Sequence, residues 1–519
     1  MNKYFILLLL LIASFSFSQN RFSNDGTLRK IYGFEYDRQS DSLKPYLDHS
    51  NKSYLFAAIQ AVSSIQDTAV AQKILEMLNT EKIDSVKLAL IYSLSQLDCK
   101  VAFKGLNLYY PSHKKEKVGW ACIEAIGKIS KVDVTDFFNQ SFSSQKKHDT
   151  PFLSYWLKGL YLAKRRKNID MNKDNEQLVH HLKYIIDNQI GRADEVNYYY
   201  SKIMNLTALA APEIVKTNIE SLKEIDAQLS SLKTPYQQID ALGKYKLSAQ
   251  ACREFIFSNY HPLIKRHALD IYLKEYTWNN LPDKAFFESI FDQMDVALIS
   301  GLSEYIAEQN ELKKPVGMDV HVLQNLQRQL FLPRDFETWI DLEKAILSFE
   351  GKKYQYKSCF EKGIENPIDW NYIVKIDQQQ MVKITTNKGV MVLLLKVNES
   401  PASVANFLKL VGIGYYNGKY FHRMVPNFVV QGGCHRGDGW GSLDWNQRSE
   451  LSSNLRYKKG SVGLASVGKD SEGVQFFISH NLAPHLDGRY TIFAEVVEGL
   501  NVIENLMVGD QMLAIERID

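Results

Sequence analysis

The sequence predicts two differently built parts in one chain: an all-α stack of repeated helical hairpins, then a closed antiparallel β-barrel with two helices. Three observations carry this. The first is self-similarity: shifting the chain by 32 residues superposes Ala57, Ala89 and Ala121, and with them Val62, Leu94 and Ile126. The second is a change of hydrophobic period. Apolar residues recur at helical spacing up to the polar run Gln378-Gln379-Gln380 and at strand spacing after it. The third is punctuation: the last stretch breaks into short β-rich runs bounded by turn residues. A chain of 519 residues also exceeds one ordinary domain, and length alone suggests about two to four units.

The same offset matches Ala61, Ser93 and Ala125, then Ile65, Leu97 and Ile129. On the second helix of each unit it matches Ile74, Leu106 and Phe138. Small residues recur where two helices must approach, with aliphatics three and four positions later on one helix face. Hairpins of this kind bury their apolar faces on one another in a stack. The pattern resembles short HEAT-type repeats; the Trp, Gly, Tyr and Pro pattern of tetratricopeptide repeats is missing. Residues 236–276 and 296–308 read as degraded versions, and 170–233 as helices without a clean register. The HEAT-like region therefore spans 19–335. A connector at 336–378 holds a helix at 339–349 and the helix stop Asn366-Pro367.

The N-terminus reads as an export signal. Lys3 precedes an apolar core at 4–13 that is too short to span a bilayer, and Ser16 and Ser18 supply small residues for cleavage. Residues 1–18 are thus expected to be removed, giving a soluble, exported, periplasmic product with no stable membrane anchor. The 62 basic and 59 acidic residues leave a net charge of +3, which gives no general attraction to nucleic acid. The basic runs at 114–117 and 164–167 read as solvated loops or helix ends, since no aromatic platform is interleaved. Five cysteines, an odd number widely scattered, do not make a disulfide framework.

In the C-terminal part, 379–519, runs at 381–385 and 390–397 flank the turn Asn387-Lys388-Gly389 and predict a hairpin. Ser400 is placed to cap a helix with Pro401 at its first position, running to about 410. Strands are expected at 420–424, 428–431, 461–465, 474–479 and 491–496, a short helix at 500–507, and a last strand at 513–518. Many short strands with two helices suggest a closed barrel.

Three blocks in this part resemble a known family. Phe421-His422-Arg423-Met424-Val425-Pro426-Asn427-Phe428-Val429-Val430-Gln431-Gly432-Gly433 is similar to the cyclophilin signature. Gly463-Leu464-Ala465-Ser466, Gly468 and Gly473-Val474-Gln475-Phe476-Phe477-Ile478 are similar to its second block. Leu486-Asp487-Gly488-Arg489-Tyr490-Thr491-Ile492-Phe493 is similar to its third. The resemblance implies a cyclophilin-like barrel with peptidyl-prolyl cis-trans isomerase activity on proline-containing polypeptides. By that resemblance Arg423, Phe428 and Gln431 are catalytic. Ala465, Ser466, Phe477, Leu486, His485, Tyr490 and Val429 contact substrate. Ser466, Val429, Tyr490 and His485 stand where asparagine, methionine, histidine and tryptophan are common in the family, and Ala494 where glycine is usual.

The chemistry is consistent with those residue types. Rotating an X-Pro bond breaks nothing and meets a barrier of about 18–20 kcal/mol from amide resonance. The twisted imide has a pyramidal nitrogen with a lone pair, so a fixed donor in a shielded site favours it. Arg423 offers such a donor, since its guanidinium stays charged and its N–H groups are fixed in a plane. No cofactor or metal is required, and Cys434 with His435 makes too small a ligand set. Strand alternation predicts that His422 points away from Arg423 in a structural role. The resulting expectation is an isomerase that assists folding of exported polypeptides, its repeats binding a protein partner. The alternative is a proline-binding or scaffold protein of the cell envelope that works through its repeats without turnover.

Overall fold

The computed structural model describes residues 20–518 apart from 146–149, 168, 170–175, 188–198, 200–202, 204–216, 277–283, 315–316 and 359–365. The expected signal peptide and Cys359 lie outside the described residues. The first part is helical. The helices Lys52–Ile65, Asp84–Leu97 and Lys117–Lys128 pack side by side, and Ala71–Thr80, Lys100–His113 and Thr135–Ser143 form a second layer. The 32-residue matches fall at equivalent places in these helices. Ala61, Ser93 and Ala125 are buried, as are Val62, Leu94 and Ile126, while Ala121 is half-buried. A close backbone crossing is made elsewhere, by glycine. A Cβ on Gly127 would lie 2.1 Å from the carbonyl oxygen of Gly159 in the next helix, Thr150–Arg166.

The second half of the helical region has its own core, with Leu269, Leu302 and Leu342 among its buried residues. A short parallel pair, β1 (Thr217–Ile219) and β2 (Tyr245–Leu247), interrupts it, which periodicity did not foresee. The helix Phe336–Ser348 falls in the stretch read as a connector, yet it packs along Val296–Glu311. Thr338 donates to the Val296 carbonyl at 3.1 Å, and Ser300 donates to the Asp341 carboxylate.

The last part is an eight-stranded antiparallel sheet of β3 (Met381–Thr386), β4 (Gly389–Leu395), β5 (Phe421–Val425), β6 (Val429–Gly432), β7 (Ser461–Leu464), β8 (Phe476–Ser479), β9 (Ile492–Glu498) and β10 (Met512–Ile518). Its order is β10-β3-β4-β9-β7-β8-β6-β5. The sheet curls until its ends meet: Tyr420 bridges Gln511, and Phe421 N–H donates to the Asp510 carbonyl at 2.9 Å. The helix Pro401–Gly412 covers the core through Phe407, which meets Tyr416, Phe476 and Phe493. Ser400 does occupy the N-cap position, but its hydroxyl donates to the Ile492 carbonyl at 2.8 Å instead of capping. The first helical N–H groups, of Ala402 and Ser403, donate to the distant Glu450 carboxylate at 3.0 and 2.8 Å.

The two parts share an extensive contact. Arg38 pairs with Asp470 and donates to the Ser449 carbonyl at 2.9 Å. The Arg456 guanidinium sits 4.2 Å from the centre of the Tyr92 ring, and Gln66 donates to the Gly488 carbonyl at 3.1 Å. Further along, Arg436 pairs with Asp295 at 2.9 Å, and Ser442 N–H donates to the Arg334 carbonyl at 3.0 Å. Helices from both halves of the first part thus reach the loops around the barrel's groove.

Candidate active site

Sheet register builds the site. Arg423 on β5 pairs with Gln431 on β6, Gln431 pairs with Phe477 on β8, and Phe477 pairs with Gly463 on β7. Residues directly opposite across antiparallel strands share a face, so a guanidinium, an amide and a phenyl ring stand in one row. Gly463 ends the row without a side chain. A Cβ there would lie 2.0 Å from the Tyr457 hydroxyl oxygen and 2.7 Å from Phe477, so the glycine lets Tyr457 stack on Phe477 with ring centres 5.5 Å apart. Val429, two residues before Gln431, faces the same way.

The row borders a cavity of about 470 Å³. Arg423 lies at its polar end and is exposed. Phe428, Val429, Phe477, Leu486 and Tyr490 form its apolar walls. Leu486 and Tyr490 arrive from a compact loop in which Leu486 N–H donates to Ala483 at 2.9 Å. The Tyr490 ring meets Phe477 edge-on at 5.8 Å. Ala465 and Ser466, just after β7, line one side, and Ala465 N–H is itself bonded to the Gln475 carbonyl at 2.9 Å.

A hydrogen-bond chain orients the polar end. Arg423 Nη1 donates to Gln431 Oε1 at 3.3 Å, Gln431 Nε2 donates to Gln475 Oε1 at 3.0 Å, and Gln475 Nε2 donates to the Gly439 carbonyl at 2.9 Å. Gln475 lies inside a quoted motif block, but nothing local in the sequence marks it as the link between Gln431 and the 434–441 loop. Cys434 is buried in that loop and accepts the Gly439 N–H at 3.2 Å. Burial pushes its thiol up to about 11. Its place is that of a loop-organising thiol.

Two expectations need correction. His422 does not point away from Arg423. A register irregularity between Phe421 and Arg423 breaks the alternation, and both His422 and Arg423 line the cavity. Neither His422 ring nitrogen finds a hydrogen-bond partner among the described residues, and burial with Arg423 alongside pushes the imidazole down to about 4. His485 does not line the cavity. Its ring stacks on Phe428 at 5.2 Å, and its Nδ1 lies 3.2 Å from the hydroxyl of Tyr161 in the helical region. It buttresses a wall residue.

The helical region also enters the groove. Glu337, in the first turn of Phe336–Ser348, lines the main cavity and a smaller one of about 110 Å³ beyond Ala465 and Ser466. Trp440 lines the main cavity with Arg266 of Pro262–Glu275 against its ring at 5.2 Å. Residues so far apart in the chain carry no joint signal in the sequence.

The comparisons with known proteins concern this part of the chain. The family described as cyclophilin type peptidyl-prolyl cis-trans isomerase/CLD matches residues 381–515. A peptidyl-prolyl cis-trans isomerase of Helicobacter pylori (strain ATCC 700392 / 26695) is 38% identical over 144 residues, covering 26% of this chain and 88% of that protein. Peptidyl-prolyl cis-trans isomerase B of Bacillus subtilis is 43% identical over 114 residues, covering 22% of this chain and 80% of that protein. Among solved structures, a Cryptosporidium parvum cyclophilin type isomerase crystallised in the presence of the dipeptide Ala-Pro is 30% identical. It covers 27% of this chain and 99% of its own, with a TM-score of 0.26. With the Arg423–Gln431–Phe477 row in place and the two bacterial relatives covered over most of their length, the chain belongs to the cyclophilin-type peptidyl-prolyl cis-trans isomerase family.

Proposed function

We propose that the chain isomerises X-Pro bonds in exported polypeptides and so assists their folding. One observation carries the catalytic reading: a guanidinium held by Gln431 at 3.3 Å beside an apolar pocket of Phe428, Phe477 and Leu486. The pocket holds the proline ring while the preceding carbonyl turns. Arg423 meets the nitrogen lone pair that exists only in the twisted imide, so it acts in the transition state. Loss of a preorganised donor costs about 10²–10³ in turnover. Arg423→Ala is expected to lower turnover by that order and to leave peptide affinity nearly unchanged, measured by NMR exchange spectroscopy on a short X-Pro peptide. Near-normal turnover in that variant would make the pocket a proline-binding module instead.

Export rests on Lys3, the apolar run at 4–13 and the small residues Ser16 and Ser18. Sequencing the N-terminus of the mature protein from cell fractions is expected to begin near Gln19; an intact Met1 in the cytoplasm would refute it. The 32-residue register supports a HEAT-type stack in the first part, with a protein partner on its free faces.

A further inference from the structure

The isomerase groove is completed by the helical region, and one of its carboxyls stands unpaired there. The main cavity and the smaller one share only a few lining residues: Gln431, Gly439, Ala465, Ser466 and, from the other part of the chain, Glu337. Glu337 thus stands at the junction between them. A peptide whose proline sits between Phe477 and Leu486, with its main chain along Ala465–Ser466, sends a neighbouring side chain past this carboxyl.

What that side chain meets is a carboxyl among other carboxylates. Among the described residues the Glu337 carboxyl makes no hydrogen bond and no ion pair. Three other carboxylates act on it, Asp341 from its own helix, Glu304 from Val296–Glu311 and Asp438 from the 434–441 loop. Each has its cation already committed: Lys344 to Asp341 at 2.8 Å, Arg266 to Glu304 at 3.0 Å and Arg436 to Asp438 at 2.8 Å. Arg334, which lines the smaller cavity, is taken by Asp335 at 2.9 Å. Of the basic groups in the main cavity, Arg423 is turned to Gln431 and His422 is neutral near pH 7. Burial first, then Asp341 and Glu304, with Lys344 opposing and Asp438 adding a little, push the Glu337 carboxyl up to about 8. A cation arriving there relieves both the repulsion and the missing partner.

We propose that Glu337 is a specificity residue of the isomerase, selecting peptides that carry a lysine or arginine beside the isomerised proline. This rests on the isomerase reading above and extends it to a substrate class. The helical region then shapes which X-Pro bonds are accepted.

The test uses the full chain and neutral Ala-rich peptides with one proline. Lys or Glu is placed in turn at each of the two positions before and the two after it. At one position, with the carboxyl ionised above about pH 8, kcat/KM for the Lys peptide is expected to exceed that for Ala by about tenfold, as for a hydrogen bond to a charged group. Glu337→Gln is expected to abolish that ratio, Glu337→Lys to invert it in favour of the Glu peptide, and Glu343→Gln, elsewhere on the same helix, to preserve it. The Lys-to-Ala ratio is expected to rise as pH passes through about 8, where the carboxyl ionises, and to stay flat in Glu337→Gln. No Lys preference at any position, or one that survives Glu337→Gln, would overturn the proposal. Failure of the wild-type chain to turn over the neutral peptide would remove the isomerase reading, and this one with it.

Discussion

Arg423 is exposed while the residues that aim it are half-buried, and this division suits its task. The charge must reach the substrate nitrogen, but its direction must not wander. The chain from Gly439 through Gln475 and Gln431 supplies the direction. Arg423→Lys is therefore expected to recover only part of the turnover lost in Arg423→Ala, because a point charge on a flexible stem cannot use the Gln431 carbonyl in the same geometry. Phe477→Ala, by contrast, is expected to weaken peptide binding as well as rate in the same exchange measurement. Arg423, Phe428, Gln431, Phe477 and Leu486 were all legible from the motif blocks, and the structure brings them to one cavity. His422 and His485 were misplaced for definite reasons. A register irregularity cancelled the alternation that assigned His422 its direction, and a tyrosine from another part of the chain set the position of His485.

At the scale of elements, the repeat register located the helices but not the glycine crossing between two of them. Alanine and serine recur at the 32-residue matches, yet backbone meets backbone at Gly127 and Gly159. A methyl at Gly127 has no room, since its neighbour is a carbonyl group and not a movable side chain. Gly127→Ala is expected to cost about 1–3 kcal/mol as the helices Lys117–Lys128 and Thr150–Arg166 are forced apart. Urea denaturation followed by circular dichroism measures it, and an unchanged midpoint would show that the crossing yields freely. The start of Pro401–Gly412 teaches a similar lesson: serine and proline marked the boundary correctly, while the acceptor for the first N–H groups is Glu450, far along the chain.

At the scale of the molecule, the helical region and the barrel are held by buried charge as well as by apolar packing. The Arg38 and Asp470 side chains are 14% and 8% exposed, and Asp470 also accepts the Ser449 N–H at 2.9 Å. Removing the cation strands a carboxylate in a shielded place. Arg38→Ala is therefore expected to destabilise the chain by about 3 kcal/mol. If the two parts unfold together, helix signal and isomerase activity will be lost at one shifted urea midpoint. Separate midpoints, with the helical signal alone unmoved, would show that the contact is dispensable to the stack. Glu337 reaches the groove beside a different part of the interface, where Arg436 pairs with Asp295 and Ser442 N–H meets the Arg334 carbonyl, so intact docking there is expected to matter for substrate choice.

Sequence alone determined what local pattern and family motif can carry: the helical repeats, the change to strands after Gln380, the order of the barrel's segments, and the arginine, amide and apolar residues of its groove. These are written in periodicity and in short contiguous blocks. Tertiary structure alone decided which helices cover the groove, that the helix Phe336–Ser348 packs with those before it, and that Glu337 faces the same cavity as Arg423. Such contacts join residues far apart in the chain, through packing and buried charge that leave no period and no spacing to read.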